Sequence, residues 1–218
     1  MCPELDVNKK EVVTKPGGGT ENLTEVHSQL NYTNEVLLQT LQVVVRHGNN
    51  SKQVRALLDP GSQKSYIQEK TARQLGLESE EEIKVYFLLF GGHRALQQHS
   101  VYQVEIESRG GHNRSHAKLK LLGHEKICGK IPRMPKGQWM AELKDQKIFL
   151  NDLGEDEGEI ELLIGSDYYP LWITGRKHCL QNGLVALQTA FGWTMSGKLN
   201  QVTEGSDSNV AMQVTSMS

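Results

Sequence analysis

An aspartate in a tight turn after an apolar run is the residue of this chain best placed for chemistry. Residues 54–58 are mostly apolar and lead directly into Asp59, Pro60, Gly61 and Ser62. A carboxylate at the end of a buried strand is unfavourable to desolvate unless it is hydrogen-bonded or paired. Gly61 allows the backbone to fold back on the carboxylate, and Ser62 can supply a hydroxyl hydrogen bond. The pattern indicates a carboxylate held for general acid–base catalysis.

Two apolar segments around a polar turn must position this aspartate. Residues 37–46 and 53–58 flank a turn rich in glycine and asparagine, which predicts a β-hairpin whose second strand delivers Asp59 into its loop. Residues 68–75 are predicted to form a short helix that stops at Gly76. Further strands are predicted at residues 82–90, 100–107, 117–122, 160–167, 185–187 and 191–195.

Many short strands with turn signals between them predict a mainly β fold. We expect a closed, barrel-like sheet with one or two short helices. Residues 1–33 are polar and interrupted by a Pro-Gly-Gly-Gly run, so we expect a flexible leader, a domain at residues 34–198 and a flexible tail at residues 199–218.

The charge balance excludes some classes of partner. The chain has 24 lysines and arginines against 26 acidic residues, a formal net charge of −2, and no basic block, which argues against nucleic acid contact. No apolar run approaches the roughly 20 residues that a membrane helix requires. The chain start lacks the apolar stretch of a secretory signal, so we expect an intracellular, cytoplasmic protein.

Three separated features together resemble the retropepsin-type aspartic peptidases. They are the Asp59 loop, the glycine pair Gly91-Gly92, and the apolar run that ends in Leu163, Ile164 and Gly165. The sequence is most similar to the peptidase domain of Pao/BEL-type retrotransposon polyproteins. The similarity extends over roughly residues 35–198, and the segments that carry it are residues 54–67, 162–169 and 191–197.

The resemblance implies a mechanism and a substrate. Two Asp59 carboxylates, one from each subunit of a homodimer, would share a proton and activate a water against a peptide carbonyl. The natural substrates would be the junctions of a retroelement polyprotein, with no cofactor. Pro60, Gly61, Ser62, Leu163, Ile164 and Gly165 would support the catalytic loop, and Phe90, Gly91 and Gly92 would form a flap over the peptide.

Pro60 departs from the family pattern, which has Thr or Ser at this position. In that pattern the hydroxyl and the backbone N–H of this residue form hydrogen bonds across the dimer axis. Proline lacks both donors. A second interpretation therefore stays open, in which the chain is a catalytically impaired retropepsin-like module that binds or dimerises.

Two further patterns in the chain could suggest other sites. His112, His116, His124 and Cys128 could suggest zinc. Within a β fold, however, ligands four apart do not share a helix face, and no Cys-x-x-Cys pair accompanies them, so we expect no metal. Asp152 begins a second Asp-x-Gly sequence within residues 123–158, a long polar connection punctuated by Pro and Gly. It lies in a polar, acidic segment and we expect no buried strand before it, so we expect one catalytic loop per chain and, for a complete site, a dimer.

Overall fold

The structure of the chain, a computed structural model, describes residues 36–88, 94–110 and 115–198. The predicted leader at residues 1–33, the tail at residues 199–218 and the three predicted flap residues Phe90, Gly91 and Gly92 lie outside these ranges. Those three assignments therefore stay predictions.

The described part of the chain is built mostly of strands. In chain order they are β1 (Val36–Leu37), β2 (Thr40–His47), β3 (Asn50–Leu58), β4 (Tyr66–Gln68), β5 (Ser79–Leu88), β6 (Arg94–Ser108), β7 (His116–His124), β8 (Ile131–Pro132), β9 (Glu157–Gly158), β10 (Leu162–Ile164), β11 (Ile173–Cys179), β12 (Val185–Thr189) and β13 (Gly192–Lys198). Three short helices accompany them: α1 (Glu69–Leu75), α2 (Trp139–Asp145) and α3 (Tyr169–Trp172).

Six of the strands close into a barrel. Their order is β2-β3-β10-β4-β7-β6, and β6 pairs back with β2 to complete the ring. Strand β5 pairs with the first half of β6, outside the ring. The prediction of a mainly β fold with a closed sheet is confirmed, although the described residues contain three short helices where one or two were expected.

Local signals in the sequence explain the first elements. Strands β2 and β3 form the predicted hairpin, in which His47 pairs with Asn50 across a turn at Gly48, whose φ is 57°. Helix α1 ends where predicted, at Gly76, which adopts the left-handed conformation with φ 70°. A glycine at this position avoids the strain that a Cβ would introduce.

Alternation along the strands divides the apolar residues between two faces of the sheet. Val54, Ala56 and Leu58 of β3 belong to the cluster that fills the barrel, whereas Leu57 between them belongs to a different cluster. The strand register places further apolar residues beside Leu57. We call this set the outer apolar face, and it consists of Leu57, Tyr66, Val101, Leu122 and Leu163.

The C-terminal strands form a second, smaller sheet. Its strand order is β1-β13-β12-β11. Its apolar side packs against α2 and the residues around it, and the buried members of this cluster are Leu37, Met134, Leu143, Ile148, Leu180, Leu184, Ala186 and Met195. Strand β11 and helices α2 and α3 were not predicted from the sequence.

The prediction that residues 123–158 are a mere polar connection is wrong. This stretch contains β8, α2 and β9, and it buries Ile127, Met134 and Asp152. It packs against the outside of the barrel. Ile127 joins the apolar residues of that surface, and Asp152 binds Arg55 in its polar part. In sequence the stretch resembles a polar connection because its apolar residues occur only in short groups. Its buried acid is also indistinguishable in sequence from a surface acid.

Candidate active site

Asp59 begins a four-residue turn at the end of β3. Its backbone N–H donates to the Ile164 carbonyl of β10 at 2.9 Å, and its own carbonyl accepts from the Ser62 N–H at 3.1 Å. Pro60 occupies the second position of this turn, where its fixed φ is favourable. The sequence therefore folds Asp59 into a defined position between two strands.

The carboxylate of Asp59 is held by the backbone of its own turn. The Gly61 N–H donates to its Oδ1 at 2.9 Å. A Cβ on Gly61 would lie 3.1 Å from the same oxygen, so a side chain there would press on the carboxylate. Asp59 is half-buried, and no ion pair within the described ranges involves it. This leaves the second carboxylate oxygen available for a water or a substrate.

Ser62 supports the turn in a different way from the one predicted. Its hydroxyl donates to the Lys64 carbonyl at 2.8 Å and not to the Asp59 carboxylate. Its own carbonyl accepts two hydrogen bonds from Ser166, from the backbone N–H at 2.7 Å and from the hydroxyl at 2.8 Å. Ser62 therefore ties the Asp59 loop to the turn that follows β10.

Gly165 is required where β10 passes under the Asp59 loop. A Cβ at this position would lie 2.7 Å from the Ser62 carbonyl oxygen and closer still to the Lys64 carbonyl oxygen. Both of these are backbone atoms, so the loop would have to move to admit a side chain. Leu163 and Ile164 flank the loop from opposite faces of the sheet, Leu163 in the outer apolar face and Ile164 in the barrel core.

We expect Gly165→Ala to destabilise the protein by about 1–3 kcal/mol, the usual range for overpacking a tight site. Gly129→Ala is the matched control, because nothing lies within 4 Å of a Cβ at Gly129 and its φ is not positive. Urea unfolding of both variants measures the difference. Equal stability of the two variants would show that the close approach at Gly165 does not constrain the loop.

A buried serine and an aspartate brace the two turns against each other. Ser65 is 1% exposed, and its hydroxyl donates to Asp167 Oδ1 at 2.6 Å while accepting from the Gly165 N–H at 2.8 Å. The Ser65 N–H also donates to Asp167 Oδ2, at 3.2 Å. The sequence analysis missed this pair, whose signal was a serine six residues after Asp59 and an acid two residues after Gly165.

The outer apolar face continues beside the loop as a cluster of rings. Tyr66 lies edge-on to His99 and His124, and the two histidines stack with their centroids 5.6 Å apart. Burial, and to a lesser extent the charge of Asp167, raises the pKa of the Tyr66 hydroxyl to about 12. Burial and the neighbouring His99 lower the pKa of His124. The face is therefore a poor environment for charged groups.

A buried ion pair fixes the polar part of the barrel surface. Arg55 and Asp152 are each 3% exposed, and Arg55 Nε lies 2.7 Å from Asp152 Oδ2. The aspartate also accepts from the Thr40 hydroxyl at 2.6 Å and from Arg133 Nη1 at 2.6 Å. Asp152 is thus fully engaged in holding its segment to the barrel, so the Asp-x-Gly sequence that it begins has a structural role.

The histidines singled out in the sequence that lie within the described residues have other neighbours. His124 packs in the ring cluster, and His116 lies near Glu105, with 3.7 Å between its Nε2 and Oε2 of the acid. His112 lies outside the described residues. Within residues 36–88, 94–110 and 115–198 no group of three or more metal-ligating side chains is found.

None of the described helices is long and apolar enough to cross a membrane.

Comparison with known families supports a peptidase domain. Residues 42–116, about a third of the chain, match the model of a family described as aspartyl protease. The matched stretch contains the whole Asp59 loop and ends before β10. The closed barrel with few short helices is consistent with a retropepsin-like aspartic protease fold, and proteases of this kind act on polypeptides. Neither a curated protein nor a solved structure matches the chain.

Proposed function

We propose that the chain is an aspartic endopeptidase of a Pao/BEL-type retroelement polyprotein, active as a homodimer. The observation that carries the proposal is the Asp59 turn, which presents a half-buried carboxylate, hydrogen-bonded by the Gly61 N–H, beside an apolar face. Such an arrangement fixes a carboxylate without neutralising it with a cation. It suits a group that must exchange a proton during catalysis.

Two Asp59 carboxylates would form the catalytic pair. Like charges at close range cannot both ionise, so one carboxyl keeps a proton while the other acts as base, as in known aspartic peptidases. The ionised carboxylate would take a proton from a water that attacks the peptide carbonyl. The protonated carboxyl would donate its proton to the carbonyl oxygen. The carboxyl that took the proton of the water would then give it to the leaving nitrogen, and a hydroxyl of the tetrahedral intermediate would return a proton to the other carboxylate. The C–N bond breaks in this step, which releases an amine and a carboxylic acid.

The requirement for a second copy follows from the single Asp59 loop in the chain. Pro60 and Gly61 are both exposed at the tip of the turn, so a second loop can approach them. The outer apolar face beside the loop favours peptides with apolar side chains near the scissile bond. Phe90, Gly91 and Gly92 stay proposed as the flap that covers the bound peptide.

The test is a cleavage assay on the full chain with a peptide library, below neutral pH, together with sedimentation. We expect cleavage that a statine-containing peptide inhibits. We also expect a dimer, and activity should be lost on dilution at concentrations near the dissociation constant of that dimer. Activity from a strict monomer at high micromolar concentration would overturn the two-subunit mechanism.

A second candidate function is a catalytically impaired module that binds peptides or dimerises. Pro60 favours it, because proline offers no hydroxyl and no N–H to a second loop. The proline also stabilises the turn within one chain, where Asp59 and Ser62 are already hydrogen-bonded. This reading predicts binding of the statine-containing peptide without cleavage of any library member.

We expect Pro60→Thr to tighten the dimer and raise the cleavage rate. Threonine restores a hydroxyl and a backbone N–H, each able to contribute about 0.5–1.5 kcal/mol as a net hydrogen bond. With two symmetric copies, the dissociation constant should fall by roughly one to two orders of magnitude. Pro135→Thr, in the segment that crosses the barrel, is the matched control and should change neither quantity. A weaker dimer for Pro60→Thr would show that the rigid proline now stabilises the turn.

A further inference from the structure

A short segment of residues 127–132, which we call the wall segment, packs against the outer apolar face. Ile127 is 6% exposed and belongs to the same cluster as Leu57 and Leu163. Cys128 and Ile131 are half-buried and pack against that cluster as well. The apolar face beside Asp59 is therefore bordered by a second piece of chain that contributes its own side chains.

Arg55 fixes the wall segment to the strand that carries Asp59. Its guanidinium donates to the carbonyls of Ile131 and Pro132, with 2.8 Å to the latter, and to the Gly158 carbonyl at 3.0 Å. Arg55 lies on the same side of β3 as Leu57, two residues away. An arginine with several simultaneous hydrogen bonds holds its partners in a fixed geometry. The wall segment therefore has a defined position relative to Asp59.

Burial and the surrounding charges both act on the thiol of Cys128 in the wall segment. Burial, the largest cause, raises the pKa of the Cys128 thiol, and the charge of Asp59 adds to the rise while Arg55 and Lys126 oppose it. Leu57 and Leu163, which belong to the same cluster as Ile127, lie close to Asp59 along the strands: Leu57 is two residues before it, and Leu163 precedes Ile164, whose carbonyl accepts from the Asp59 N–H. The wall segment therefore borders the part of the apolar face that is next to the Asp59 turn.

We propose that the wall segment determines substrate specificity by packing against an apolar side chain of the peptide next to the scissile bond; this rests on the proposed peptidase function. Ile127 sets how large that side chain can be, because it fills the space behind the outer apolar face. Arg55 acts as a positioning residue that keeps the segment in place. The wall segment thus selects apolar over charged peptides.

The first test compares Ile127→Ala with Ile148→Ala. The two isoleucines are 6% and 5% exposed, but Ile148 lies in the cluster of the C-terminal sheet. For paired peptides that differ only in Phe or Val beside the scissile bond, Ile127→Ala should raise the Phe-to-Val ratio of kcat/KM about tenfold or more. Ile148→Ala should leave the ratio unchanged. An unchanged ratio for both variants, with cleavage intact, would overturn the specificity role.

The second test does not require cleavage. The full-length Asp59→Asn protein is treated with N-ethylmaleimide, and mass spectrometry follows the rate at which Cys128 is alkylated. The rate is measured with and without a saturating statine-containing peptide. Calorimetry measures the binding of that peptide separately. We expect the peptide to slow modification of Cys128 at least fivefold. Binding without protection overturns the wall segment as a peptide contact but leaves the peptidase standing. Protection in a chain that never cleaves supports the wall segment and rejects the peptidase. Absence of binding rejects both.

Discussion

The Asp59→Asn variant should cleave peptides at least about 10³-fold more slowly than the unmodified chain, the range expected for removing a general acid–base group. The asparagine Oδ1 can still accept the Gly61 N–H, so the turn keeps its shape. The amide cannot take a proton from water, so the shared-proton chemistry is lost. The rate is measured on one peptide at several pH values. We expect activity of the unmodified chain to be highest below neutral pH and to fall as pH rises, because the shared proton is then lost.

Asp145→Asn is the control for this variant. Asp145 is an exposed acid at the end of α2. The same change of charge and shape there should leave cleavage at its original rate. Undiminished cleavage by Asp59→Asn would mean that a contaminating peptidase or another mechanism accounts for the activity.

Asp152→Ala should lower the free energy of unfolding by about 3–5 kcal/mol, the range for breaking a buried ion pair by removing one partner. The change leaves the Arg55 guanidinium charged and 3% exposed with no counterion at that position. It also removes the acceptor of the Thr40 hydroxyl. Urea unfolding monitored by circular dichroism gives the difference.

Asp156→Ala provides a control that shares a partner with Asp152. Arg133 contacts both acids, Asp152 through Nη1 at 2.6 Å and Asp156 through Nε at 3.0 Å. Asp156 is 67% exposed, so water screens its interaction and replaces it when the side chain is removed. We expect almost no change in stability for this variant. Similar losses for the two variants would show that burial does not set the strength of the Asp152 interactions.

The parts of the fold that could be predicted from sequence are those with local signals. The β2–β3 hairpin, helix α1 with its Gly76 stop, and the strand before Gly165 each depend on residues within one short stretch. The position of Asp59 at the end of β3 follows from the same kind of pattern. Local propensity and hydrophobic alternation suffice for such elements.

The missed features depend on pairing between distant parts of the chain. In the sequence, Arg55 and Asp152 resemble surface charges. Their burial depends on the ion pair that they form with each other, and the two residues are 97 positions apart in the chain. The Ser65–Asp167 brace spans 102 residues for the same reason. Helix α2 was missed because its residues lie within a stretch rich in charge, glycine and proline. A single sequence records these residues but not which of them meet.

The place of β10 between β3 and β4 has a consequence for when the proposed active site can form. β10 runs parallel to β3, and Leu163 pairs with Leu57, which lies 163 − 57 = 106 residues earlier. The Asp59 N–H finds its acceptor only on Ile164. Pairings this distant in sequence form slowly, because a long loop must close before they contribute. During synthesis, a ribosome-bound chain that has emerged only as far as β7 cannot yet hold its aspartate in place. The timing of translation would thus delay the proposed proteolysis until most of the domain has been made.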